Sequence, residues 1–385
     1  MSEIVETGRS RIRRGIRNLL IGLVLLVLVA IAALPSLAGL PPIRNWIVSA
    51  VNERLAPTRI EVASLQLSWF NPIQLTGLVL RNAEGKAIVE APDVSLNRNF
   101  RQILLDRSSP FILTLNGASI DLRRDADGSI DLLKAFEPVL GKARPSDGKP
   151  EAPRASRPEF TLLVEKGKLK LVTPELAEPV SAEQLDVKLL VPADTQPITW
   201  KVALANPSAA SPETLKIEGL FDPRTSTDSH DPTFELTLTG TRWPVAPALG
   251  GVAARGRLDG PVIAKLVDGK WSLSGDTQLL DLDATGPALA GDHVKLDKAT
   301  ANWDLALVDG GLAIHKLNVS TPIGSILGTG KIVGSSSISG RIEARLDLAA
   351  LAKQAPRALR LREGLTLDKG DIQLRAAVKN DDPAA

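Results

Sequence analysis

The residues able to do chemistry are few and scattered. His230, His293 and His315 are the only histidines, and each lacks a second histidine at metal-ligand spacing. Asp281 and Asp283 alternate with Leu282, so a strand would set both carboxylates on one face, where Ca2+ chelation competes with simple solvation. No acidic loop with a glycine turn frames them, which favours solvation. Gly328-Thr329-Gly330-Lys331 has the glycines and lysine of a phosphate loop, without a Gly-Lys-Ser/Thr at the required spacing or a helix behind it. Ser335 to Ser337 read as a turn rather than a nucleophile elbow. Cysteine is absent, which removes thiolate nucleophiles, thiolate metal sites and disulfides together. No nucleophile, base and orienting group assemble, so no catalytic, cofactor-binding or metal residue is assigned. The chain reads as a non-enzyme, and an exported hydrolase with an unorthodox site is the least supported alternative.

The elements around these residues are more informative. The 385 residues suffice for two or three domains with cores of their own. A net charge of +2, 3% aromatics and no tyrosine supply neither the basic footprint nor the stacking platforms of a nucleic-acid binder. Arg9, Arg11, Arg13, Arg14 and Arg17 precede an uncharged run from Leu19 to Leu40. As a helix that run would measure roughly 30 Å, enough to cross a bilayer. The arginines would stay cytoplasmic by the positive-inside rule, sending the rest to the far side. The expected division is a basic tail at 1–17 and a transmembrane helix at 18–40; Ser36-Leu37-Ala38 leaves a cleavable signal peptide as the other reading. Both export the remainder of the chain.

Pro41 and Pro42 mark a helix start, with Ile43, Trp46, Ile47, Ala50, Val51 and Leu55 at helical spacing. Its mixed polar face, with Glu53 beside Arg54, favours a helix capping a core over one lying in the membrane interface on Trp46. From Thr58 the period drops to two. Residues 41–137 then read as a small α+β module, with short helices at Phe100 to Leu105 and Ile130 to Phe136 and turns at Asn82 to Gly85 and Asn116-Gly117. Residues 138–158, rich in Pro, Lys, Arg, Ser and Gly, form a linker.

Residues 159–380 alternate almost throughout and predict an extended antiparallel sheet with few short helices, one of them at Leu348 to Gln354. Asp259-Gly260, Asp268-Gly269, Asp309-Gly310 and Gly334 supply the expected turns. EKGKLKL at 165–171 is echoed by DKGDIQL at 368–374, which suggests a repeated hairpin step with Gly167 and Gly370 in the turns. Such a sheet has more apolar face than its helices can cover, so it must curl into an open barrel or a groove whose lining meets something else. A lipid acyl chain fits that lining. The candidate lipid-facing residues are Leu162, Val164, Leu169, Leu171, Leu365, Leu367, Ile372 and Leu374. The fold class expected is therefore mainly β: a transmembrane helix, a small α+β module, and an extended curved sheet.

The stretch from Ser64 to Phe136 resembles the opening module of the AsmA/TamB-like family. Leu75-Thr76-Gly77-Leu78-Val79-Leu80 matches its glycine-marked strand, Gly85 to Val89 its hairpin, Ile103 to Leu105 its helix end, and Asp127-Gly128-Ser129-Ile130-Asp131-Leu132 its closing phrase. LNVSTPIGSILGTGKI and the strand phrases after Leu346 are similar to the family's repeats. The resemblance implies an inner-membrane-anchored periplasmic repeating β-groove that conducts phospholipid toward the outer membrane, with membrane lipids and envelope or outer-membrane proteins as partners and no cofactor. Members are often much longer, so this chain would span part of a periplasm. The alternative is a non-catalytic scaffold for outer-membrane protein assembly, pairing through the terminal strand, Asp371 to Val378.

Overall fold

A computed structural model describes residues 39–106, 109–125, 128–132, 134–135, 158–173, 179–193, 196–222, 232–245, 248–249, 252–308, 311–333, 337–361 and 367–378. The expected membrane span lies outside these residues apart from its last two, as do His230, Leu365, Ser335, Asp309-Gly310, Gly334 and the linker up to 157. Among the described residues no helix is long and apolar enough to cross a membrane. The chain divides into two units, 1–152 and 153–385.

In the first unit, helix α1 (Pro41–Leu55) starts at the two prolines, whose fixed φ suits the first helical turn. Strands β1 (Arg59–Gln66), β2 (Ile73–Arg81) and β3 (Ala87–Leu96) form an antiparallel meander. Helix α2 (Phe100–Leu105) follows, then β4 (Phe111–Asn116) and β5 (Ser119–Arg123). Residues 131–132 and 134–135 are helical, inside the expected 130–136. Ile88, Ala91, Val94, Leu80 and Leu115 are buried at the centre. Sealing a side chain of isoleucine size contributes about 1.5–3 kcal/mol, so this small core is the principal stabiliser of the unit. On the surface Glu61 accepts from Arg81 at 2.9 Å, and that hydrogen bond holds the guanidinium above its ordinary pKa.

One expectation holds only in part here, and another fails. Helix α1 does cap β1, through buried Leu55 and through Asn52, which bonds both the N–H and the carbonyl of Ile60. Yet Ile43, Trp46 and Val51 stay outside the core, with Trp46 71% exposed. The wide apolar arc is larger than the single strand beneath it can cover. Asn116-Gly117 is likewise no hairpin. Asp93 faces Asn116 and Glu90 faces Ser119, so β4 and β5 run on along the same flank of β3.

The second unit is one antiparallel meander. Its strands are β6 (Phe160–Val172), β7 (Val180–Val191), β8 (Ile198–Asn206), β9 (Glu213–Asp222), β10 (Thr233–Val245), the short β11 (Ala248–Leu249), β12 (Val252–Val267), β13 (Lys270–Thr285), β14 (Val294–Val308), β15 (Gly311–Thr321), β16 (Gly324–Val333), β17 (Ser337–Asp347) and β18 (Asp371–Val378). Each pairs with the next, except that β10 pairs with β12 and β11 adds to β12. No pairing joins β6 to β18 among the described residues, so within this unit the meander stays open. Helix α3 (Leu348–Gln354) occupies the span read from sequence, capped by Asp347, whose carboxylate accepts from Ala350 N–H at 2.9 Å. It covers one local core: Leu351 and Ala355 pack with Leu282, Ala284, Val294 and Leu296.

Several turns expected from sequence lie inside strands. Asp268-Gly269 is a true two-residue hairpin, with Val267 facing Lys270 and both turn residues at positive φ. Glu165 to Gly167 instead sits in mid-strand in β6. Val164 faces Val187 and Gly167 faces Leu185, which leaves an extra residue, a β-bulge. The left-handed residue is Lys166, at φ 54°, rather than Gly167. Its N–H donates to the Asp186 carboxylate on β7 at 3.0 Å, which offsets part of the roughly 1–2 kcal/mol that this conformation costs. The same device recurs in β10, where Arg242 has φ 51° and donates its N–H to the Asp259 carboxylate on β12. Asp259-Gly260 therefore belongs to the interior of β12 and makes no turn. Gly370 stands ahead of β18, so the two echoed phrases occupy different structural positions.

Candidate functional site

Residues directly opposite one another on antiparallel strands share a face of the sheet. Following those pairings from β6 to β18 gives one continuous row: Val164, Val187, Val202, Ile217, Leu238, Val262, Gly275, Trp303, Leu317, Gly328, Ile342 and Ala376. Twelve strands contribute one residue each, and none is polar. At about 4.8 Å between strands the row is roughly 50 Å long.

A second row beside it runs Leu162, Leu189, Trp200, Gly219, Leu236, Ala264, Leu273, Leu305 and Ile314. Two of the indoles lie over glycines of the neighbouring strand. A Cβ at Gly275 would come within 2.7 Å of Trp303, and one at Gly219 would overlap the ring of Trp200. Glycine at these two positions lets the rings lie low on the sheet, so they widen the apolar floor without standing up from it. Along one rim Trp200 meets Phe234 at 5.8 Å between ring centroids, and Phe234 meets Trp271 at the same distance.

The other face has the opposite character. Lys188, Lys201, Glu218 and Thr237 pair in succession, and Lys201 bridges Glu218 at 3.1 Å. Ile263 interrupts the series on β12, and Ser274, Asp304 and Lys316 continue it on β13 to β15. A sheet with one wet face and one dry face needs a cover on the dry one. Yet Val187, Val202, Ile217, Leu238, Val262, Trp303 and Leu317 all keep partial exposure, and Ile326, Ile342, Ile372 and Leu374 are more exposed still.

Of the candidate lining residues, Leu162 and Val164 belong to these rows, although Val164 is buried at 4% exposure rather than open to a ligand, and Leu169 and Leu171 follow on β6, facing Ala182 and Val180. Leu374 faces Ala344 and Ile372 faces Leu346. Leu367 precedes β18, and Leu365 lies outside the described residues. The sequence reading missed the centre of the floor, Ile217, Val262 and Leu317, because their alignment is a property of strand register. Trp303 and Leu238 were visible as alternating residues only.

Among the described candidate groups, Asp281, Asp283 and His293 sit beside charged or ionisable neighbours. Asp281 has φ 52° at a further bulge and faces Arg257 at 3.5 Å and Arg242 at 3.8 Å, whose charges oppose a cation there. Asp283 lies 3.6 Å from His293. His315 projects from a bulge in β15, and Gly328 to Lys331 form the interior of β16. In the first unit a cavity of about 170 Å³ beside Lys86, Asp125 and Lys134 is neutralised by its own ion pairs, Lys134 to Asp125 at 2.7 Å and Lys86 to Asp121 at 3.2 Å. What the arrangement offers is apolar contact along a track. No family model, curated protein or solved structure matches this chain.

Proposed function

We propose that the chain is a membrane-anchored periplasmic β-groove protein that handles or conducts phospholipid between the inner and outer membranes, in the manner its resemblance to the AsmA/TamB-like family implies. The observation that carries the reading is the unbroken apolar row across twelve strands, buried at Val164 but left at least partly exposed from Val187 to Ala376 on an otherwise amphipathic sheet. Acyl chains supply the missing cover: each methylene withdrawn from water is worth about 0.8 kcal/mol. The polar outer face meets solvent, so headgroups need only reach a rim. One acyl chain spans about 15 Å, half of the ~30 Å hydrocarbon core, so a track of this length holds several in succession. Catalysis has no part in this reading.

The test places a photo-crosslinking residue in the full-length protein at Leu238 or Leu317, on the floor, and at Thr237 or Lys316, on the outer face. Phospholipid adducts from the floor positions alone are expected on mass analysis; equal yields from both faces, or none, refute the groove.

One observation favours a second reading. β18 pairs with β17 on one side, no further strand pairs with it among the described residues, and Asp371 to Ala377 are all exposed. An edge of that kind can accept a strand from a partner, as a scaffold for outer-membrane protein assembly would. Crosslinking from Gln373 distinguishes the two, since a protein adduct supports the scaffold and lipid alone removes it.

A further inference from the structure

The first unit carries an apolar surface that the groove does not use. Helix α1 and β1 run antiparallel: Asn52 bonds Ile60, and nearer the helix start the Arg44 guanidinium donates to the Ala63 carbonyl. The start of α1 therefore lies at the end of β1 that leads through Ser68 to Phe70. Helix α2 stands at this same end, because Phe100 N–H donates to the Ser68 carbonyl at 2.9 Å and the Phe100 ring meets Trp69 edge-on at 5.1 Å. Three large apolar side chains project here: Phe70, 78% exposed, Leu105, 76% exposed, and Leu104.

Their exposure is built in. Asn99 and Gln102 form a reciprocal capping box at the start of α2. Behind its end the buried Arg98 donates to the carbonyls of Asp106, at 2.7 Å, and Ser109, and its guanidinium lies 4.2 Å from the Phe111 ring centroid. The helix is fastened at both ends while its leucines face outward. The uncharged run 19–40 enters α1 at this end, and the helix start adds the exposed Ile43 and Trp46. Arg101, also exposed on α2, suits an anionic headgroup.

We propose that Phe70, Leu104 and Leu105 insert into the interfacial layer of the bilayer that residues 19–40 enter, so that the first unit is seated on the lipid surface as well as tethered to it. This rests on the reading of residues 19–40 as a membrane segment. The occupant is the bilayer because the chain delivers this end of the unit to it within one helix of the run.

The lack of cysteine makes the test direct. Full-length protein with Phe70→Cys, Leu105→Cys or Glu84→Cys is labelled with an environment-sensitive thiol dye and reconstituted in vesicles of phosphatidylcholine and phosphatidylglycerol. Glu84 is the reference, in the turn after Arg81, which pairs with Arg59 at the opposite end of the sheet. Dyes at 70 and 105 should emit to the blue and be quenched several-fold by doxyl-labelled lipid, while the dye at 84 stays water-like. Water-like emission at 70 and 105 in protein that floats with the vesicles overturns the seating and leaves the anchor standing. Protein that does not float overturns both. Blue emission without doxyl quenching signals a protein contact and also overturns the proposal.

Discussion

Ile326 and Leu327 are neighbours on β16 that put the groove reading to a matched comparison. They are 43% and 46% exposed, so each has given up a similar share of its burial energy. Ile326 faces Val319 and Ala344 on the apolar side; Leu327 faces Asn318 and Glu343 on the polar side. Full burial of such a side chain is worth at most about 3 kcal/mol, so the exposed fraction of Ile326 leaves about 1 kcal/mol for a lipid to claim. Ile326→Asp forfeits that contact and sets a charge against hydrocarbon, a further cost of several kcal/mol if water is fully excluded and less if it is not. A total of about 1.4–3 kcal/mol corresponds to a roughly 10- to 100-fold fall in local lipid occupancy. The assay is the yield of phospholipid adduct from a photo-crosslinker at Leu317, whose strand β15 pairs with β16. Leu327→Asp should leave that yield unchanged. Both substitutions should lower stability alike, by no more than about 2 kcal/mol, which denaturant unfolding checks. Equal loss of lipid from both variants, or retention by both, refutes the assignment of lipid to one face.

Three further outcomes follow from particular contacts. Gly219→Leu should destabilise the second unit by about 1–3 kcal/mol and alter the emission of Trp200, because the indole must leave the sheet surface. Asp186→Ala should cost about 1 kcal/mol through loss of the acceptor for Lys166 N–H, with Asp186→Asn close to neutral; Lys166→Gly should stabilise by up to about 1 kcal/mol, measured by urea unfolding. Arg98→Ala should cost about 2–4 kcal/mol and raise hydrogen exchange at Ile112 and Leu113, since the carbonyls of Asp106 and Ser109 lose a buried donor.

Local pattern carried much of the fold. Pro41 to Leu55, Phe100 to Leu105 and Leu348 to Gln354 are helical where the 3.6-residue period, the prolines and Pro356 place them. Period-two alternation identified the strands and separated their faces, which is why Leu162 and Val164 were recognisable as members of the apolar face. These signals are legible because they depend on residues within a few positions of one another.

Three readings were settled only by tertiary structure, for a common reason. Glu165 to Gly167, Asn116-Gly117 and Asp259-Gly260 all look like turns, since each holds residues that tolerate positive φ. A hairpin and a bulge ask the same of the backbone locally, and what differs is whether the chain reverses or continues along a partner strand. That partner stands elsewhere in the sequence: Asp186 for Lys166, β3 for Asn116-Gly117, β10 and β13 for Gly260. The apolar row from Val164 to Ala376 has the same origin, since a shift of one residue in any register between β7 and β17 would have broken it. Composition and alternation determined that the chain would build amphipathic strands; the register between strands decided that their dry sides line up into one track.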